Sequence, residues 1–265
     1  MLLLVYLGVW SVLLVTITAI VICLFEFYRA LRQAGYEPRF FTGTSIAVVF
    51  GLTAFLHHHG TFDFLGVVLS GSIILSFASE LTRRDEQRSL ENWSLSFTAA
   101  IYIGWLLSYY VLLRMLDTPL HQSWLSLLHI APGAAWIYFV LAITWLQDAA
   151  AYFVGRAIGK HKMAPIISPG KTWEGALGGI LAGAMAAMLA VFLLGLPIGY
   201  GTAFLLGIAG GSAGLLGDLA ESLLKRRIGV KDMGNVMPGH GGILDRADSM
   251  LFTAPVLYYL ILVVT

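Results

Sequence analysis

The sequence predicts an all-α fold, a polytopic integral membrane bundle of about eight transmembrane helices. Three observations predict it. Of 265 residues, 58% are hydrophobic and only 12% charged, when a soluble domain carries roughly 25% charge; the mean hydropathy is +0.82. Apolar runs recur at the length that crosses a hydrocarbon core, about 20 helical residues. Lys and Arg collect in alternate connecting segments.

The apolar runs lie at about 2–25, 40–57, 63–80, 93–115, 131–154, 175–196, 200–219 and 249–264. They are expected to be helices, because open strands would leave backbone groups unpaired in lipid. No alternating barrel pattern is present. The first run reads as a retained helix rather than a leader: no Lys or Arg precedes it, and Phe25-Glu26-Phe27-Tyr28-Arg29 follows it in place of a small-residue cleavage site. The runs group into N-terminal helices (1–92), a middle region (93–144) and a C-terminal region (145–265) with two longer loops, about 155–174 and 220–248.

With eight spans the loops alternate sides. One side holds Arg29, Arg32, Arg39, Arg83, Arg84, Arg88, Arg156, Lys160, Lys162, Lys171, Lys225, Arg226, Arg227, Lys231 and Arg246, which is 15 of the 16 basic residues. Only Arg114 falls on the other. The positive-inside rule puts the basic face in the cytoplasm and both termini outside. A net charge of +1 gives no argument for nucleic acid. The single cysteine, Cys23, excludes disulfide and cysteine-cluster schemes within one chain. Gly175, Gly179 and Gly183 are spaced four apart, as are Gly207 with Gly211 and Gly210 with Gly214. Such stripes let helix backbones approach closely. Trp124 and Tyr258 fit interfacial belts.

The chemistry concentrates between Asp218 and Asp248. Asp218 ends an apolar, glycine-rich helix, and a carboxylate there costs a few kcal/mol unless it is paired or binds a cation. On a continuing helix, Glu221, Ser222 and Lys225 share its face. Asp245 and Asp248, three residues apart, point the same way, and carboxylates brought together suit a hard cation such as Mg²⁺. Lys225, Arg226 and Lys231 place positive charge beside them, the mixture expected for a metal–polyphosphate complex. Pro238-Gly239-His240-Gly241-Gly242 is a turn whose N–H groups can approach an anion. Asp148 is a carboxylate well inside an apolar run. Ser168-Pro169-Gly170-Lys171-Thr172-Trp173-Glu174-Gly175 leads into a helix, with Ser168, Lys171 and Thr172 as donors to phosphate at its N-terminus. It is not a Walker loop, because Pro165 stands where the upstream glycine belongs. His57-His58-His59 is a weak metal candidate, since adjacent helical histidines diverge. Arg83, Arg84 and Arg88 with Asp85 and Glu86 read as a solvated loop near anionic headgroups. Glu26, near Arg29, reads as half of an edge ion pair.

The run Ser222-Leu-Leu-Lys225-Arg226, Lys231-Asp232-x-Gly234, Pro238-Gly239-His240-Gly241-Gly242-x-x-Asp245-Arg246-x-Asp248 closely resembles the motif of the phosphatidate cytidylyltransferases. Ser168-Pro169-x-Lys171-x-x-Glu174-Gly175 is similar to that family too, as is Asp148 with Tyr152, Gly155 and Arg156. The resemblance covers about 145–260; Ala247 departs from it, standing where a larger apolar residue is commoner. It implies transfer of a cytidylyl group from CTP to phosphatidate, giving CDP-diacylglycerol and pyrophosphate. It also implies Mg²⁺, a second cation for which K⁺ is the candidate, a homodimer, and a place in a bacterial cytoplasmic (inner) membrane. Asp148, Asp218, Asp245 and Asp248 would hold metal, with Lys225 beside them in catalysis. Ser168, Lys171, Arg226, Lys231, His240 and Arg246 would hold substrate.

Phosphatidate brings its own nucleophile, an ionised phosphate oxygen, so the absence of a Ser–His–Asp or Cys–His pattern fits. The rival enzyme is a CTP-dependent lipid kinase, which would release CDP rather than pyrophosphate. A transporter is the rival outside enzymes; it would place its polar groups near the midplane between repeated halves, and the acids here lie toward helix ends.

Overall fold

The computed structural model describes residues 2–57, 64–82, 88–234 and 241–265. Ten α-helices account for most of them: α1 (Leu2–Leu7), α2 (Val9–Gln33), α3 (Phe40–His57), α4 (Phe64–Leu81), α5 (Ser89–Ala99), α6 (Leu106–Arg114), α7 (Pro132–Ile158), α8 (Trp173–Leu194), α9 (Tyr200–Ile228) and α10 (Leu244–Val264). A π-helical segment, Ala100–Trp105, joins α5 to α6. Among the described residues, six spans are long and apolar enough to cross a membrane, counting Ser89–Arg114 as one; α3 and α4 are shorter apolar helices. The chain is therefore an all-α integral membrane protein, as its hydropathy predicts.

The chain folds as two compact units, one of Met1–Val9, Leu113–Arg226 and Asp248–Thr265, the other of Trp10–Leu112 and Arg227–Ala247. In the first, α7 to α10 pack through glycine. Along α8, a Cβ on Gly175 would strike the carbonyl of Ala151, one on Gly179 the carbonyl of Gln147, and one on Gly183 would touch Ile143. These three glycines line the contact with α7. On α9 the glycines serve two neighbours. Gly207 and Gly211 lie on Ala184 and Ile180 of α8, while Gly210, Gly214 and Gly217 lie on Leu257, Thr253 and Asp248 of α10. Backbones this close gain van der Waals contact that larger side chains would forbid. The stripes read from the sequence thus decide which helices adjoin.

The apolar run expected at 2–25 is divided at Gly8. Its φ of 146° is open to glycine and closed to residues with a Cβ. Arg114, expected from the sequence to lie opposite the other basic residues, donates from Nε to the Val5 carbonyl of α1 at 3.3 Å. Tyr138 adds a bond to the Leu2 carbonyl at 2.9 Å.

The described residues of both long loops hold more secondary structure than the sequence suggests. Helix α7 runs to Ile158, and the next segment forms an antiparallel hairpin of β1 (Lys162–Ala164) and β2 (Ser168–Thr172), pairing Lys162 with Thr172 and Ala164 with Ser168. Thr172 then caps α8, its Oγ1 accepting from Gly175 N at 3.2 Å. Helix α9 continues beyond 219 to Ile228, where Lys225, Arg226 and Arg227 complement the negative end of the helix dipole. Helix α10 begins at Leu244 instead of 249, so Asp245 sits in its first turn, where negative charge is favoured.

In the second unit, Gly104 of the π-helical segment presses on the backbone of Ala47 in α3, and Gly43 leaves room for the Tyr28 phenol. That phenol donates to the Ser96 carbonyl at 2.8 Å. The α2–α3 connection is tied down by Glu37 N to Asn92 Oδ1 and Arg39 N to Ser96 Oγ, both 2.8 Å. Glu80 of α4 pairs with Arg39 at 3.4 Å. The segments 58–63 and 83–87 fall outside the described residues; they carry His58 and His59, and Arg83, Arg84, Asp85 and Glu86.

Two alanine substitutions on α9 separate packing from propensity. A Cβ at Gly207 would sit against the backbone of Ala184, whereas Gly201 has open space. Gly207→Ala is expected to destabilise by about 1–3 kcal/mol, the usual cost of overpacking. Gly201→Ala is expected to be neutral or to stabilise by up to about 1 kcal/mol through helix propensity. Thermal unfolding in detergent checks both.

Candidate active site

The acids read from the sequence are set by helix geometry at one end of α7 to α10. In the first unit, Asp148 projects from α7, Asp218 from α9 and Asp248 from α10. Gly217 brings these last two together, since a Cβ there would meet the Asp248 carbonyl. Asp148 accepts from Ser249 Oγ at 3.2 Å and lies within electrostatic reach of Asp218, Asp248 and Lys171. Asp248 accepts from the Ser249 N–H at 2.6 Å and lies beside Asp218, Glu221 and Lys225. Four carboxylates from three helices, α7, α9 and α10, thus gather in this unit.

The bases offset them. Lys171 reaches from β2 to put Nζ 2.6 Å from Asp218 Oδ2. The hairpin therefore has a function the sequence does not show: it carries Lys171 back over α9. Asp218 Oδ1 also receives a long bond from Ser222 Oγ, at 3.4 Å, the one-turn relation expected on a continuing helix. Glu221 is fully buried, and Lys225 lies 3.5 Å from it. Arg226 donates from Nε to the Ile167 carbonyl at 3.2 Å, which ties α9 to the hairpin. Ser168 pairs with Ala164 on the opposite strand. At the start of α8, Glu174 takes both the backbone N–H and the ring Nδ1 of His161, the latter at 2.6 Å. That helix terminus is thus served by its own side chains, Thr172 and Glu174, and of the three donors expected there it is Lys171 that reaches the acids. Arg156 is exposed and bonds Tyr152 Oη at 3.1 Å.

In the second unit, Asp245 holds the chain leading into α10. Its carboxylate accepts from Met233 N at 3.0 Å and Gly242 N at 2.9 Å. Glu26 accepts from Ile243 N at 3.1 Å and Leu244 N at 3.0 Å. The expected edge ion pair of Glu26 with Arg29 gives way to this arrangement: Glu26 is buried and turned toward α10, whereas Arg29 is exposed. Lys231 and Arg246 are exposed in the same unit. His240, with Pro238 and Gly239, lies outside the described residues.

The sequence reading passed over Ser249 and the closing role of Glu174. Ser249 has a local signal, standing directly after Asp248. The Glu174 contact depends on the hairpin and has no local signal.

Hard carboxylate oxygens suit Mg²⁺. Among the described residues, no three or more acidic, histidine or cysteine side chains form a ready-made cage. That agrees with how Mg²⁺ is usually held, by one or two carboxylates with substrate phosphates and water completing the octahedron. The fit is therefore to a cation arriving with a polyphosphate. A cleft of about 720 Å³ lined by His121, Ser123, Trp124, Gly195 and Tyr200 lies at the opposite ends of α8 and α9 and contains no carboxylate.

The chain is 34% identical over 268 residues to a phosphatidate cytidylyltransferase of Synechocystis sp., covering 96% of this chain and 89% of that protein. It is 44% identical over 163 residues to one of Bacillus subtilis and 42% identical over 170 residues to the uncharacterized protein YnbB of Escherichia coli. The chain spans only about half the length of these last two, 56% and 54%. The profile of the cytidylyltransferase family matches residues 1–264, and the chain belongs to that family.

Proposed function

We propose that the protein transfers a cytidylyl group from CTP to phosphatidate, giving CDP-diacylglycerol and pyrophosphate for phospholipid synthesis. The observation that carries this reading is the gathering of Asp148, Asp218 and Asp248 with Lys171 at one end of apolar helices. Lipid penalises such acids unless they are paired or bind cations, and the interfacial end of a helix is where a lipid phosphate and a water-soluble nucleotide can meet. The names of the Synechocystis and Bacillus relatives support the choice of substrates.

In this reading an ionised oxygen of the phosphatidate phosphate attacks the α-phosphorus of CTP. A new P–O bond forms, the bond from the α-phosphorus to the α–β bridging oxygen breaks, and pyrophosphate leaves with that oxygen. No protein nucleophile is needed. Asp148, Asp218 and Asp248 would hold Mg²⁺, and Asp245 is proposed as a metal ligand besides its bonds within its own loop. When bound, Mg²⁺ would offset phosphate charge and stabilise the leaving group. A second cation, K⁺ being the candidate, would draw on the same acids. Lys171, now paired with Asp218, would exchange that partner for a phosphate oxygen, and Lys225, Arg226 and Lys231 would supply further positive charge. Ser168, His240 and Arg246 complete the proposed substrate contacts. The active face would be cytoplasmic with both termini outside, in a bacterial inner membrane, and the assembly a homodimer.

Purified protein given CTP, Mg²⁺ and phosphatidate is expected to yield a CDP-lipid and pyrophosphate in equal amounts. Release of CDP instead would establish a lipid kinase, and substrate flux without pyrophosphate a transporter. Chelation with EDTA should stop the reaction, and added Mg²⁺ should restore it.

Asp218→Asn should lower turnover by about 100-fold or more, the scale of losing a group that stabilises transition-state charge, with helical content unchanged by circular dichroism. Asp245→Asn should do likewise; full activity in that variant would sink its assignment to the cation.

Lys171→Met is expected to raise the KM for CTP by about 10–100-fold, the equivalent of a hydrogen bond to a charged group. Steady-state kinetics with CTP varied at fixed phosphatidate reads this directly.

A further inference from the structure

We propose that Glu26 is a positioning residue for the reaction: its buried carboxylate, by holding the N–H groups of Ile243 and Leu244, fixes the start of α10 and the orientation of Asp245. The proposal rests on the cytidylyltransferase reading, which is what gives Asp245 a part in the chemistry.

Glu26 is 1% exposed near the end of a long apolar helix. A carboxylate in that setting is costly unless its oxygens are satisfied. Both oxygens are used, and by one short stretch of chain. Oε1 accepts from Ile243 N at 3.1 Å and Oε2 from Leu244 N at 3.0 Å. These are the N–H groups at the opening of α10, where a helix leaves donors unfilled and where negative charge is favoured. The anion that fills them comes from a residue 217 positions away.

The surrounding chain is shaped to this carboxylate. A Cβ on Gly234 or on Gly242 would overlap the Glu26 carboxyl group. The two glycines therefore let the backbone approach the Glu26 carboxylate closely. From the other direction, Asp245 accepts from Met233 N and Gly242 N. Three consecutive N–H groups, of Gly242, Ile243 and Leu244, are thus held by two carboxylates, the first by Asp245 and the next two by Glu26. With the Glu26 oxygens removed, two donors at the helix start lose their acceptors and the first turn loses its anchor. Asp245 stands in that turn, and Gly242, one of its two backbone donors, directly precedes the freed N–H groups, so its carboxylate is less firmly directed. A residue that orients a cation ligand in this way changes metal affinity or activity by about 10–100-fold when removed.

The test uses the full chain in mixed micelles. Wild type, Glu26→Ala and Glu26→Gln are assayed for CDP-lipid formation with Mg²⁺, CTP and phosphatidate each varied, and amide hydrogen exchange is followed over residues 241–248 by mass spectrometry. For Glu26→Ala, turnover is expected to fall by about 10-fold or more and half-saturating Mg²⁺ to rise by about 10-fold. The KM for phosphatidate is expected to hold, and exchange to quicken over 241–248 alone. Glu26→Gln keeps one acceptor oxygen and should fall between; if the alanine variant does not fold, glutamine is read on the same measures. A wild-type Mg²⁺ dependence with wild-type exchange overturns the proposal. So does a loss of activity with unchanged half-saturating Mg²⁺ and faster exchange throughout, which marks a role in folding only. Wild type that makes no CDP-lipid removes the functional reading alone, and the exchange data still decide whether Glu26 fixes the turn.

Discussion

A carboxylate at the end of a membrane helix has little water to hydrate it, and the fold is arranged around meeting that need. Asp148, Asp218, Glu221 and Asp248 come together in one unit, and each is answered by a hydroxyl, a backbone N–H or an ammonium group nearby. Glu26 and Asp245 in the other unit are answered by backbone N–H groups at the start of α10. None of these acids is on a helix interior by accident of composition, because a few kcal/mol of desolvation is a large fraction of the stability of a typical protein.

Bringing the acids together depends on backbone proximity. Side chains of Asp are short, so the helices that bear them have to approach closely. Glycine supplies that approach on α8 toward α7 and on both faces of α9. The same residues that pack the bundle therefore set the spacing of the charged groups. A larger residue at Gly217 would press on the Asp248 carbonyl and move one acid relative to the other. Packing and chemistry in this protein are consequences of the same glycine pattern.

The hairpin of β1 and β2 solves a different problem. Lys171 lies just ahead of α8, on a segment that could have remained an open loop in solvent. Folding back as paired strands, closed by the contact of Glu174 with His161, brings the ammonium group to Asp218. Lys171 and Lys225 are both held against carboxylates of the same cluster, Asp218 and Glu221.

The sequence by itself determined the solvent, the fold class and the acids. Hydropathy reports lipid burial residue by residue, so the apolar runs and the charged positions at their ends are local properties. Glycine spacing of four is also local, and it marked the helix faces that pack. Tertiary structure decided the partners. That Lys171 turns to Asp218 depends on a hairpin stabilised by pairing between strands. That Glu26 serves the start of α10, and not Arg29 one turn along its own helix, depends on two segments more than 200 positions apart in the chain. Contacts at such separation leave no periodicity in the sequence, since each partner taken alone is only an acid beside a base or a glycine in a turn. The break at Gly8 and the early start of α10 were hidden for a related reason: a glycine and an acid each permit a helix to stop or to begin, and the surrounding contacts select which.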